Sequence, residues 1–184
     1  CNGFSVFYIN LSVPAKTSPE PANLLPEILP GDKPTGNINP GEVSLGQNLS
    51  NLLRLVLLYK YGGVYIDTDV IVLKSFNNLS NVIGAQSMNI ETKTWSRLNN
   101  AVLVFDKHHP LLYKFIQEFA LTFDGNKWGH NGPYLVSRVV GRVTNRPGFN
   151  FTVLPPPAFY PQIRRQSYAV HLWNRQSKDV RAEE

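Results

Sequence analysis

The stretch from Tyr61 to Leu73, Tyr-Gly-Gly-Val-Tyr-Ile-Asp-Thr-Asp-Val-Ile-Val-Leu, constrains the fold more than any other part of the chain. A double glycine opens an apolar run that ends in two carboxylates one residue apart, Asp67 and Asp69. Side chains alternate along an extended chain, so both carboxylates are expected on one side and Thr68 on the other. Oxygen ligands on a short, loosely tied turn suit Mg²⁺ or Mn²⁺ that keeps waters and bridges phosphates, whereas zinc prefers nitrogen and sulfur. The substrate this implies is a nucleotide phosphate. The competing reading is an acidic strand end that merely caps a turn, and Asp-x-Asp is too short a pattern to separate the two.

The residues before it supply context. From Gln47 to Tyr61 the apolar residues Leu49, Leu52, Leu53, Val56 and Leu57 recur at three and four, which predicts a helix packed on a sheet through that stripe. Asn51 and Arg54 share another face. Gly62 fits the helix stop, where a positive φ costs glycine nothing, and Gly63 lets the chain enter the strand Val64 to Ile66 closely packed. Ligands of open α/β sheets collect outside the carboxyl ends of strands, which is the position expected for Asp67 and Asp69.

With 184 residues, 42% of them hydrophobic, the chain can bury one core, and alternating strand and helix patterns predict a single α/β domain over 1–184. Residues 14–46 form its long loop region and 47–184 carry the site. The formal net charge of +5 is scattered, apart from Arg164 and Arg165, so a nucleic-acid partner is not indicated. A soluble basic surface accounts for the charge, and a diphosphate-bearing substrate would also welcome it. The single Cys1 has no partner for an internal disulfide. Four sequons, at Asn10, Asn48, Asn78 and Asn150, hint at a secretory lumen, although Asn48 also reads as a helix N-cap. The chain opens without methionine, signal peptide or apolar span, so the expectation is a part of a longer polypeptide.

Along the chain, Phe4 to Leu11 reads as a strand and Pro14 to Gly41 as a long loop. A turn at Asn77-Asn78, a strand at Val82 to Ala85, a polar span to Asn100 and a strand from Ala101 to Phe105 follow. His109-Pro110 starts a helix to about Phe123 that buries Leu111, Leu112, Phe115, Ile116 and Phe119, with His108 and His109 at its opening. Trp128-Gly-His-Asn-Gly-Pro133 separates it from a helix over Tyr134 to Val143. There Asn131 suits sugar hydroxyls and Trp128 offers a flat face to a pyranose; an ordinary capping turn with a core Trp is the alternative. Pro155 to Pro157 and Phe159-Tyr160-Pro161 form a stiff loop. Beyond it, His171 and Trp173 fall on one face of a short strand, where the imidazole either completes a metal shell or is purely structural.

Taken together, Ser50-Asn-Leu-Leu-Arg54, Tyr61 to Asp69, Leu98-Asn-Asn-Ala101, Trp128 to Pro133, Leu154-Pro-Pro, Ala158-Phe-Tyr-Pro161 and Ala169-Val-His-Leu-Trp-Asn174 resemble the alpha-1,4-glycosyltransferases. The resemblance implies a GT-A-like fold, a mixed sheet flanked by helices, whose N-terminal part is missing here. It implies a UDP-sugar donor, Mn²⁺ or Mg²⁺, and transfer with retention, with galactose as the expected sugar. Asp69 would then ligate the metal, Asp67 the metal or the ribose, and His171 would be a further ligand. Asn51, Arg54, Asn99, Asn100, Trp128 and Asn131 would hold the donor sugar, with no nucleophile assigned. The acceptor would be a glycosphingolipid or another glycan, at the lumenal side of the Golgi membrane, reached through an anchor outside this chain. The family usually has Asp where this chain has Asn51, which leaves an acceptor without charge. Three rivals stand beside this reading: an N-acetylhexosaminyl transferase, a catalytically idle sugar-binding relative, and a phosphatase using Asp67 as nucleophile.

Overall fold

The computed structural model describes residues 6–7, 41–160 and 163–173, residues 6 and 7 by backbone alone. Residues 14–40 of the loop region expected over 14–46, the flanks of the first strand, Cys1, Asn10, Pro161 and Asn174 lie outside them.

Helix α1 (Leu45–Tyr61) begins two residues earlier than its periodicity suggested. Ser44, not Asn48, is the N-cap, its Oγ accepting from the Gln47 amide at 3.3 Å. At the other end Gly62 takes φ 68° and donates its amide to Leu58 O at 2.7 Å. A Cβ on Gly62 would sit 2.6 Å from the Lys107 amide nitrogen, so only glycine fits the turn. The buried side of α1 differs from the predicted stripe. Of that stripe Val56 is buried as expected, Leu49, Leu52, Leu53 and Leu57 are only half-buried, and Asn48, Asn51, Arg54, Leu55 and Leu58 are buried instead. The polar face turns inward because it finds hydrogen-bond partners there, which removes the penalty of burying it.

The chain then enters β2 (Gly63–Ile66), the turn Asp67–Val70 and β3 (Val70–Val72). Two long strands follow, β4 (Val82–Met88) and β5 (Trp95–Phe105). Both outrun their predicted lengths: the polar span before Asn100 is strand at both ends, around a turn at 89–94, because pairing of β4 with β5 supports residues that pattern alone reads as loop. Helices α2 (Pro110–Thr122) and α3 (Pro133–Val143) come next, then β6 (Thr152–Leu154), a single 3₁₀ turn at Pro156–Ala158, and β7 (Ala169–His171). With β1 (Val6–Phe7), the strands form a five-stranded sheet in the order β1-β2-β5-β4-β6 and a two-stranded ribbon of β3 and β7. β1 with β2 and β4 with β6 are parallel; the other pairs are antiparallel, so the sheet is mixed.

Alternation along β2 and β5 divides the core. Tyr65, Leu103 and Phe105 join the cluster under the three helices, with Leu111, Leu112, Phe115 and Val136. Val64, Ile66, Val102 and Val104 join a second cluster with Phe159, Tyr160 and Ala169. Each such buried side chain contributes about 1.5–3 kcal/mol by leaving water. Glu118 ties α2 to α3 by accepting from Arg138 Nε at 3.2 Å and from Arg142. Burial alone would raise its pKa, but the two arginines outweigh that and hold it below the ordinary carboxylate value.

Candidate metal and sugar-donor site

The two aspartates converge by a turn and not by strand alternation. β2 ends at Ile66; Asp67 keeps one more sheet bond, its amide donating to Ala101 O at 2.8 Å, and the Val70 amide then closes back on Asp67 O at 3.2 Å. Thr68 and Asp69 occupy that turn, so the expectation of an extended Asp-Thr-Asp is corrected: the chain reverses there to start β3. β3 pairs with β7 in the register Val70 opposite His171, and the Leu172 amide donates to Asp69 O at 2.8 Å. A residue more than a hundred positions away is thereby seated beside Asp69, with His171 Nε2 3.0 Å from Asp69 Oδ1.

Asp67, Asp69 and His171 each present a ligand atom, all within 4.8 Å of one another. The donor set, two carboxylates and an imidazole, fits a hard to borderline divalent cation such as Mn²⁺ or Mg²⁺. His171 Nδ1 and the Tyr160 hydroxyl are buried and have no hydrogen-bond partner among the described residues, so the wall of the site retains polar capacity.

Asp67 is held from behind. The Tyr65 hydroxyl donates to its Oδ1 at 2.6 Å, and Arg54 Nη1 lies 3.1 Å from the same oxygen. Arg54 also donates through Nε to Ser50 O (3.1 Å), through Nη2 to Ser50 Oγ (2.9 Å) and through Nη1 to Asn100 O (2.7 Å). Its guanidinium carbon lies 4.5 Å from the centre of the Tyr65 ring, a cation–π contact. Burial, opposed by Arg54 and reinforced by Asp67, pushes the Tyr65 phenol far above its ordinary pKa, so it stays a donor. Tyr65 was missed as a site residue. Its signal was in the sequence all along: it stands two before Asp67, and positions two apart share a strand face.

Asn100 reaches this cluster through a break in β5. Against β4 the register jumps from Ile83 opposite Leu103 to Gly84 opposite Asn99, so Asn100, Ala101 and Val102 bulge out. Asn100 Nδ2 then donates to Asn51 Oδ1 at 2.9 Å. Asn99 points elsewhere, its Nδ2 to Gln86 Oε1 at 3.1 Å and its Oδ1 accepting from the Ala101 amide at 2.8 Å. Asn131 is 2% exposed, donating to Asn48 Oδ1 (2.9 Å) and Asp124 O (2.8 Å) and accepting from the Asp124 amide. It ties the loop between α2 and α3 to α1, and Gly132 passes so close that a Cβ would lie 2.7 Å from Asn51 Oδ1. Trp128 is 71% exposed on that loop, so the alternative of a core Trp is corrected. The fold thus gathers Asn51, Arg54, Asp67, Asp69, Asn100 and His171, leaves Asn99 and Asn131 in structural bonds, and stands Trp128 in solvent.

Residues 25–89, which contain both aspartates, match the family described as "Glycosyltransferase sugar-binding region containing DXD motif", and residues 104–164 match "Alpha 1,4-glycosyltransferase conserved region". The chain is 35% identical to a lactosylceramide 4-alpha-galactosyltransferase of Pongo pygmaeus over 73% of its own length and 71% of that protein. The chain belongs to the alpha-1,4-glycosyltransferase family. Within that family it is 36% identical to the Rattus norvegicus lactosylceramide 4-alpha-galactosyltransferase (73% of this chain, 43% of that one). It is 29% identical to the Homo sapiens alpha-1,4-N-acetylglucosaminyltransferase (72% and 44%). The chain therefore spans less than half the length of the rat and human relatives. No helix among the described residues is long and apolar enough to cross a membrane.

Proposed function

We propose that the chain is the catalytic domain, built on a GT-A arrangement, of a retaining alpha-1,4-galactosyltransferase that uses UDP-galactose and a glycosphingolipid acceptor at the lumenal side of the Golgi membrane. The observation that carries this reading is the convergence of Asp67, Asp69 and His171 at the end of a central strand. These three side chains would hold Mn²⁺, which when bound offsets the charge of a leaving diphosphate. The other residues act by position. Arg54 and Tyr65 hold the Asp67 carboxylate from behind, and buried Asn100 and Asn51 fix the Arg54 side of the site, so the ligands need not reorganise when donor arrives. Asn51 supplies the carbonyl that Asn100 needs, so the missing carboxylate does not leave an orphan donor.

The test is UDP release from UDP-galactose with lactosylceramide, with and without Mn²⁺, for the full-length protein and for Asp69→Ala. Mn²⁺-dependent release that the substitution abolishes supports the reading. The human relative's name favours a second donor, UDP-N-acetylglucosamine, and turnover with that sugar alone would transfer the assignment to it. UDP binding in Mn²⁺ without turnover on either donor would mean another donor or acceptor, and no UDP binding would put the idle sugar-binding relative first.

A further inference from the structure

The fold sorts the sequons. Asn48 is 3% exposed inside α1 and accepts from Asn131, so a glycan there would pry the helix from the adjoining loop. Asn78 stands on an exposed turn. Asn150 is exposed too, but it sits on the rim of a groove of about 550 Å³ lined by Trp95, Asn145, Arg146, Phe149 and Phe151. That volume lies within the range of small-ligand pockets. The three aromatic side chains are half-buried, one side packed on the core and the other left to the groove. The backbone around Asn150 is pinned: its carbonyl lies 3.1 Å from His109 Nε2, and the Thr152 amide donates to Asn81 O at 2.8 Å.

We propose that Asn150 carries an N-linked glycan whose first N-acetylglucosamine lies in this groove against Trp95, Phe149 and Phe151. The apolar face of a pyranose and its acetyl methyl group match the aromatic lining, while Arg146 and Asn145 face its hydroxyls. In the transfer, Asn150 Nδ2 bonds to C1 of an oligosaccharide carried on a polyprenyl diphosphate. The C1–O bond to phosphate breaks, the diphosphate leaves with the electron pair, and the amide gives up one proton. Thr152, the third residue of the sequon, is paired opposite Val82 in the finished sheet, so the transfer precedes the docking of β6. The sugar then closes the corner between α3, β6 and the start of β5. The proposal rests on the lumenal placement given above.

The full-length protein, expressed in eukaryotic cells, is treated with PNGase F in heavy-oxygen water and its peptides are mapped. Labelled aspartate is expected at positions 78 and 150, and unmodified asparagine at 48. Trimming to a single N-acetylglucosamine with endoglycosidase H leaves Tm unchanged, whereas complete removal lowers it by about 2–4 °C. Trp95→Ala removes that difference. A bare Asn150 beside an occupied Asn78 overturns the site and keeps the lumenal placement; bare asparagines at both positions overturn the placement as well. An occupied Asn150 whose complete deglycosylation leaves Tm unmoved overturns the docking.

Discussion

Tyr65 illustrates how one side chain couples stability to chemistry. It is buried among Leu55, Leu103 and Phe105, it carries the Arg54 guanidinium on its ring, and its hydroxyl ends on Asp67 Oδ1. Removing only that hydroxyl leaves the packing and the arginine in place but frees Asp67 to rotate. Tyr65→Phe is expected to weaken Mn²⁺ binding by about 10–100-fold, as loss of a partner behind a metal ligand generally does, at a stability cost of only ~1 kcal/mol. Isothermal titration with Mn²⁺ beside a urea melt would check both; unchanged metal affinity would show that Arg54 alone orients Asp67. Asp67 and Asp69 were recognisable from residue types and spacing. That Arg54 pairs with Asp67 depends on a contact across thirteen positions that no local pattern encodes.

Among the elements, α2 shows a sequence pattern carried through to structure, and its opening residue brings a pH dependence with it. Proline at its first position and the five apolar residues expected inside are all where the periodicity put them. His109 is the N-cap: Nδ1 accepts from the Leu111 amide at 3.2 Å, so Nε2 carries the proton and donates to Asn150 O. Protonating Nδ1 would set two N–H groups against each other. Burial lowers the pKa of His109 below its ordinary 6.5, with the Asn150 carbonyl and Asp106 opposing. The unfolded chain therefore binds a proton that the folded one resists, so His109's contribution is complete above pH 6.5 and falls as pH drops from there through the folded pKa. His109→Asn keeps a capping acceptor without the titration, and it should flatten that part of the stability curve in melts between pH 5 and pH 7. By contrast, α1 defeats a reading by periodicity. Asn48, Asn51 and Arg54 are buried beside Leu55 and Leu58, and polar residues are read as exposed unless their partners are known.

At the scale of the whole molecule, the proposed metal site joins two sheets. Asp67 hangs from the end of β2 in the large sheet, while Asp69 and His171 belong to the ribbon of β3 and β7. An ion held by all three would tie the ribbon to the sheet, so its binding would stabilise the fold. At a hundredfold excess over Kd, Mn²⁺ should add about 2.7 kcal/mol, or roughly 5–10 °C in Tm. EDTA should reverse the gain and Asp69→Asn should prevent it; a thermal shift that persists in Asp69→Asn would place the ion elsewhere. The amino-acid sequence was enough to establish the mixed α/β character, the helix, glycine and strand leading to Asp67, and the family, because these follow from local conformational preference and from short ordered motifs. Tertiary structure alone decided which groups meet: the turn that aims Asp69, the bulge that turns Asn100 inward, and the ribbon pairing that sets His171 beside the aspartates. Those are contacts between distant segments, selected by the packing of the entire chain, and no window of neighbouring residues contains them.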